Sequence, residues 1–271
     1  KLKKDDTHKE QFIQDYLTAS AYADEALKAA TKERDKKNLK LAKNNVDAYF
    51  INSGAASCEN LQEIYGPKVA QNKTNLDYLK EVISVMQMLK CTEQEAYFEA
   101  SEAAHAIEPT AATAVGCGYM YYKKGDIEKS INYFDQAIEL EQDPIEKANH
   151  CYSAAVVLFG KKQFSRAKQY ANKAISFNPN KGDAYILIAQ LYAASPNWSD
   201  EGALNKCPYF AAIDKLQRAK SVDPSVAEKA NELIRTYSAY VPKDEDLFFL
   251  GLKKGNSVTI GGWIGETTTI R

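Results

Sequence analysis

The chain has almost no charge of one sign to spare. Its 35 basic and 36 acidic residues leave a formal charge of −1, so no overall field draws it to nucleic acid or anionic lipid. It lacks any apolar run as long as a membrane span. Histidine is scarce, with only His8, His105 and His150. There is no HExxH, no phosphate-cradling glycine loop and no GxSxG. The five cysteines, Cys58, Cys91, Cys117, Cys151 and Cys207, form no CxxC and have no histidines nearby to complete a zinc set. The neighbours His150 and Cys151 make a poor dyad, because adjacent helical positions diverge by about 100°. Carboxylates such as Glu139 and Glu141 are ordinary on a solvated helix face. These absences assign no catalytic residue, no metal site and no cofactor, and the expectation is a protein that is not an enzyme. The sequence also begins without methionine, at Lys1, so an upstream segment carrying any signal peptide is expected.

What is present is helical periodicity and tyrosine. Seventeen tyrosines stand against two tryptophans, and tyrosine joins a flat apolar face to a hydrogen-bonding tip, which suits binding surfaces. The organising stretch runs from Ala111 to Pro179. Around Lys123-Lys124-Gly125-Asp126, two apolar stripes recur at helical spacing: Val115, Gly118, Tyr119 and Tyr122 before the break, Ile127, Ile131, Phe134 and Ile138 after it. Gly125 can take positive φ at a helix C-terminus and Asp126 can cap the next helix. So short a break predicts an antiparallel pair, with Gly118 and Ala137 small where the backbones come close. The string alanine, four residues, proline recurs at Ala104–Pro109, Ala174–Pro179 and Ala219–Pro224, while Pro144 arrives two residues late.

Upstream, apolar stripes predict helices over Lys9 to Ala30 (Phe12, Ile13, Tyr16, Leu17, Ala19, Ala23, Leu27) and Glu33 to Ile51 (Leu39, Leu41, Ala42, Val46, Ala48, Tyr49). A helix from Cys58 to Gln71 is expected to be interrupted or kinked at Gly66-Pro67. Leu76–Leu89 and Glu93–Ile107 form a further pair. Lys1 to Asp6 is expected to fray. Residues Ala194 to about Pro208 are an insertion at a hairpin tip, either a plain surface loop or a ligand contact. Val226 to Tyr240 is expected to close the stack. In the tail, the β-branched runs 257–264 and 267–270 flank Gly265-Glu266 and predict a small β-hairpin. It is expected to cap the last helices with Val258, Ile260, Trp263 and Ile270, the alternative being another chain. Asn72-Lys73-Thr74 and Asn197-Trp198-Ser199 match the glycosylation pattern, which arises readily by chance.

The residues Gly118, Tyr121, Gly125, Ser130, Phe134 and Ala137 resemble the tetratricopeptide repeat, a unit of about 34 residues. Ala155, Leu158, Ala167, Ala174 and Pro179 continue the pattern, as do Tyr185, Ala189, Tyr192, Ala212, Leu216, Ala219 and Pro224. The resemblance implies an all-α, right-handed α-α superhelix of helical hairpins with a small C-terminal β-hairpin. Three regions follow: irregular N-terminal helical pairs at 1–73, repeats with a capping helix at 74–240, and a C-terminal extension at 241–271. Residues 53–59, 219–226 and 248–255 with the tail further resemble a group of exported tetratricopeptide-repeat proteins from Bacteroides-like bacteria, implying a periplasmic or outer-membrane-associated protein of the cell envelope. The pair Cys58 and Cys91 recurs in that group, which implies a disulfide in an oxidising compartment.

In the resembling fold, the first helix of each repeat lines the concave face. The corresponding positions here are Val115, Tyr119, Tyr122, Tyr152, Ser153, Val156, Asp183, Ile186 and Gln190. This lining is aromatic and aliphatic, without the basic clamp some relatives use for C-terminal carboxylates. It implies a scaffold binding a protein or peptide segment by apolar contact, with tyrosine hydroxyls fixing register. The bland alternative packs these tyrosines under the inserted loop or the tail. The functional alternative is a carbohydrate- or nutrient-binding component of an outer-membrane uptake system, with a pocket near Trp198.

Overall fold

The computed structural model describes residues 6–54, 57–195 and 197–271. The expectations for Lys1 to Lys4 and Asp5, for Ala55 and Ala56, for Pro196 and for the Leu17 side chain lie outside the described residues. Among the described residues the chain is all-α apart from one two-stranded antiparallel sheet near the C-terminus. No described helix is long and apolar enough to cross a membrane. Two compact units divide it, 1–120 and 121–271.

The first unit holds α1 (Asp6–Ala29), α2 (Glu33–Asn52), α3 (Cys58–Gln71), α4 (Leu76–Met88), α5 (Glu95–Ile107) and most of α6 (Ala111–Lys123). The α1–α2 pair corrects the sequence pattern. Leu41, Val46 and Tyr49 face solvent, at 60%, 41% and 69% exposure. The seam is instead made by Phe50, stacked on Tyr16 at 3.8 Å, by the Tyr16 hydroxyl donating to Asp47 at 2.8 Å, and by Lys43 donating to Ser20 at 2.7 Å. Partners at this seam, not apolarity alone, set which face turns inward. Helix α3 continues through Pro67 without interruption. The carbonyl that Pro67 cannot bond belongs to Glu63, an exposed residue that water can reach. A disulfide joins Cys58, at the start of α3, to Cys91, just past α4, with the Cα atoms 5.2 Å apart. At Gly116 on α6, a Cβ would sit 2.1 Å from Ser101 Oγ and 3.3 Å from Tyr97 on α5, so only glycine allows that approach.

The second unit holds the end of α6, then α7 (Ile127–Leu140), α8 (Pro144–Gly160), α9 (Phe164–Phe177), α10 (Gly182–Ala193), α11 (Pro208–Val222), α12 (Ala227–Ser238), α13 (Asp244–Phe248), β1 (Ser257–Ile260) and β2 (Glu266–Thr269). Successive helices pack as neighbours from α7 to α12. Their contact layer is alanine: Ala137, Ala148, Ala154, Ala155, Ala167 and Ala174 are all fully buried.

The same turn recurs between paired helices. Gly125, at φ +82°, donates to Tyr122 O while Asp126 donates to Tyr121 O at 2.9 Å, and the Asp126 carboxylate caps α7 by accepting from Lys129 N. Lys162 (φ +58°) and Lys90 (φ +57°) take the glycine's place in the α8–α9 and α4–α5 hairpins, each followed by the matching six-residue bond, Gln163 N to Leu158 O and Cys91 N to Met86 O. The joints between repeats are equally regular. Glu108, Asn178 and Asp223 sit at φ/ψ of −143/98°, −136/95° and −140/96°, because each precedes a proline that forbids helix. Glu141, where the proline comes late, departs to −72/147°.

Strand β1 pairs with β2 from Ser257–Thr269 to Ile260–Glu266. Glu266 is therefore a strand residue and the turn is 261–265, longer than the sequence suggested. Gly262 and Gly265 have positive φ there, which lets Trp263 and Ile264 turn inward. The sheet docks on its own chain.

Two measurements test this packing. Gly116→Ala should destabilise the first unit by about 1–3 kcal/mol in urea unfolding, and Ser101→Gly in the same chain should recover part of the loss. Reduction of native protein should add two hydrogens localised to the Cys58 and Cys91 peptides, and lower stability by roughly 3 kcal/mol on chain-entropy grounds.

Candidate functional site

The less buried strip of α8 carries Tyr152, Ser153, Val156 and Phe159, at the helical spacing that puts them on one face. Val156 is 42% exposed. Tyr152 is half-buried, roofing a small-residue cluster of Ile138, Ala148, Cys151, Ala174 and Ala184, with the Lys181 ammonium 5.2 Å above its ring. Tyr122, at the end of α6, is covered by Lys161 at 5.5 Å and its hydroxyl lies where a Cβ on Gly160 would be 3.2 Å away. Asp183 and Gln190 are half-buried on α10. Ile186 is not presented. It is 1% exposed, because α10 packs against α8, α9 and α11 and its intended outward position is enclosed. Val115 and Tyr119 are half-buried residues of the first unit.

The structure gathers other side chains around Gln190. An open depression of about 400 Å³ is lined by Phe159 from α8, Gln190 and Ala193 from α10, Ala194, Tyr209 from α11, Tyr237 from the end of α12 and Tyr240 from the turn after it. Tyr209 and Tyr240 stack at 5.4 Å, and Tyr209 meets Tyr237 at 5.7 Å. A cleft of about 450 Å³ shares Ala193, Tyr209 and Tyr240 and adds Ser195, Asn197, Lys206 and Lys243. A recess of about 540 Å³ shares Phe159 and Ala194 and adds Lys162 and Phe164. Among the described residues, three lysines line these adjoining spaces and no carboxylate does. Burial first, then neighbouring Tyr209, raises the Tyr237 phenol above its ordinary value, so it stays a neutral donor. Phe159, Tyr209, Tyr237 and Tyr240 were not singled out from the sequence. Tyr237 and Tyr240, three apart in the closing helix, carried a signal, whereas Tyr209 became a wall only through the insertion.

The inserted loop is held firmly. Asn205 Oδ1 accepts from the backbone N–H groups of Trp198 and Ser199 at 2.9 and 3.0 Å, and its amide donates to Ser199 O at 2.7 Å. Trp198 donates from Nε1 to Leu204 O at 3.1 Å, and a Cβ on Gly261 would lie 2.9 Å from its ring. Trp198 therefore ties the loop to the tail's turn. The tail is in turn clamped to α9, α10 and α11. Lys168 donates to Ile264 O at 2.6 Å, Glu266 pairs with Lys215 at 2.8 Å and Lys168 at 3.4 Å, and the Tyr192 hydroxyl donates to Glu266. Thr268 donates to Asp214 at 2.6 Å, and Arg271 pairs with Asp214. None of these contacts uses Phe159, Gln190, Tyr237 or Tyr240.

His150 and Cys151 do not form an activated pair. Burial pushes the Cys151 thiol up to about 11, the reverse of a reactive thiolate. Desolvation lowers His150 despite Glu141 at 3.6 Å. Cys117, Cys151 and Cys207 are buried and stand outside the disulfide. Among the described residues no group of three metal-ligating side chains converges.

Comparison with known proteins identifies tetratricopeptide repeats at 117–144 and 149–181. No curated protein sequence matches the chain. Among solved structures, MamA is 15% identical over 67% of this chain and 96% of its own, with a TM-score of 0.47. The C-terminal part of a TPR repeat-containing protein from Cytophaga hutchinsonii is 16% identical over 87% of this chain and 88% of its own, at 0.45. YrrB, described as a TPR protein with an unusual peptide-binding site, is 18% identical over 66% of this chain and 84% of its own, at 0.42.

The tail clamp has a defined pH dependence. Burial alone would raise Glu266, but Lys215, Tyr192 and Lys168 outweigh it and hold its pKa below the ordinary 4.5. A depressed carboxylate contributes stability that is present above 4.5 and is lost as pH falls through the folded value. Chemical unfolding of the second unit should therefore weaken below about pH 4.5, and Glu266→Gln should flatten that limb. Glu266→Ala should cost about 1–3 kcal/mol at neutral pH by leaving Lys215 without its carboxylate.

Proposed function

We propose that this chain is a non-catalytic interaction scaffold whose second unit binds a peptide segment in the groove walled by Phe159, Tyr209, Tyr237 and Tyr240. The observation that carries this reading is the combination of an open aromatic depression of about 400 Å³ with bordering lysines and, among the described residues, no lining carboxylate. Rings offer flat apolar faces at little entropic cost, and phenolic tips fix orientation. Lysines favour a ligand with acidic residues beside its apolar ones. Tyr122, Tyr152, Ser153, Val156 and Asp183 extend the reading along α8 and its neighbours, while Val115 and Tyr119, in the first unit, are not part of this groove.

The tail's bonds go to Lys168, Tyr192, Asp214 and Lys215, which supports a groove whose four walling rings are left open. The Cys58–Cys91 disulfide supports an exported protein in an oxidising compartment such as the bacterial cell envelope. The sugar-binding alternative has less support, because Trp198 already packs against Gly261. The perturbed groups Tyr192 and Glu266 belong to the tail clamp, which supports a structural role for them over a catalytic one.

Selection from a displayed peptide library should enrich segments with one or two aromatic residues flanked by Asp or Glu. Tyr237→Ala should weaken the selected peptide roughly tenfold or more in fluorescence anisotropy, as a central aromatic contact does. Peptide affinity untouched by Tyr237→Ala and Phe159→Ala, or binding of glycans in place of peptides, would sink the reading.

A further inference from the structure

The chain carries a segment with the chemistry this groove selects. Asp244, Glu245 and Asp246 form the exposed first turn of α13, followed by Leu247, Phe248 and Phe249. Leu247 is buried to 1%, whereas Phe248 and Phe249 are 75% and 86% exposed. Two adjacent phenylalanines so open to water call for an explanation. They are held in place: their rings meet edge to face at 6.3 Å. Gly251, at φ +70°, donates to Phe248 O at 2.9 Å, and Leu252 donates to Leu247 O at 3.0 Å. This is the turn that closes the hairpins, here fixing an aromatic knob with three carboxylates beside it.

We infer that the knob Phe248-Phe249 of one copy occupies the aromatic groove of a second copy, making a head-to-tail contact. The inference rests on the reading of the groove as a peptide site. Ring matches ring, and Asp244, Glu245 and Asp246 meet Lys162, Lys206 and Lys243. The knob does not fill its own groove, since both rings stay open to solvent in the folded chain. In a head-to-tail arrangement the contact is heterologous, and each copy keeps one free end of each kind. Two phenylalanines bury on the order of 300 Å² on the knob side, far below the roughly 800 Å² per partner of a stable interface. The association is therefore weak and rises with concentration.

Sedimentation velocity of the full chain, from micromolar to millimolar, tests this. The expected result is a sedimentation coefficient that grows with concentration and shrinks when salt screens the lysine–carboxylate attraction. The double variant Phe248→Ser, Phe249→Ser and the single variant Tyr237→Ala should each stay monomeric alone. Mixed, they should form a dimer that grows no further, because the pair holds one intact knob and one intact groove. A wild-type monomer at every concentration, or a knob variant that still associates, overturns the inference; so does a mixture that stays monomeric. If Tyr237→Ala fails to fold by circular dichroism, Lys162→Glu with Lys206→Glu replaces it. Wild-type monomer that still binds library-selected acidic-aromatic peptides defeats only the self-partner. Loss of both defeats the groove reading as well.

Discussion

The closeness of helix backbones in the second unit constrains everything around them. Where α7 to α11 touch, alanines with no exposed surface recur among the buried residues, Ala148, Ala155, Ala167 and Ala174 among them. At those positions a side chain of one methyl lets two helices approach closely. It also leaves little room for rings inside, with Phe134 and Tyr192 among the exceptions. Larger side chains must then roof the layer, as Tyr152, Tyr170, Ile175 and Phe177 do over the cluster around Cys151. The tyrosine wealth of the chain and the alanine wealth of its interior are two sides of one packing solution.

The groove follows from where this solution stops. Helix α12 covers the last pair, and its end brings Tyr237 and Tyr240 against Tyr209. Beyond it the chain crosses to α9 and α11, where Glu266, Lys215 and Lys168 hold the sheet. That clamp seats the β-hairpin on Tyr192 and, through Trp263, on Phe164. The insertion contributes in the same way: Asn205 and Trp198 rigidify it, so its polar edge borders the aromatic wall at a set place.

The first unit obeys a different rule. Its α1–α2 seam joins Phe50 and Tyr16 to the polar partners Asp47, Lys43 and Ser20, leaving Leu41 and Tyr49 in water. Hydrophobic spacing alone selects the wrong face there, because a helix with apolar residues on more than one side has no single preferred stripe. Hairpin turns were only partly legible for a similar reason. Gly125 announces a left-handed residue, whereas Lys90 and Lys162 adopt the same conformation with no chemical mark of it, compelled by the helices on either side.

By itself the sequence determined the repeat: alanine at close contacts, aspartate at the cap and proline after each second helix act within a few residues, so local chemistry suffices to read them. The three joints before Pro109, Pro179 and Pro224 share one backbone geometry because proline's steric exclusion is local. Only the tertiary structure decided which rings face the groove. Ile186 disappeared inside and Phe159, Tyr209, Tyr237 and Tyr240 came together through contacts between helices dozens of residues apart. Exposure on a crowded helix depends on how many neighbours enclose it, and that number is a property of the assembled stack.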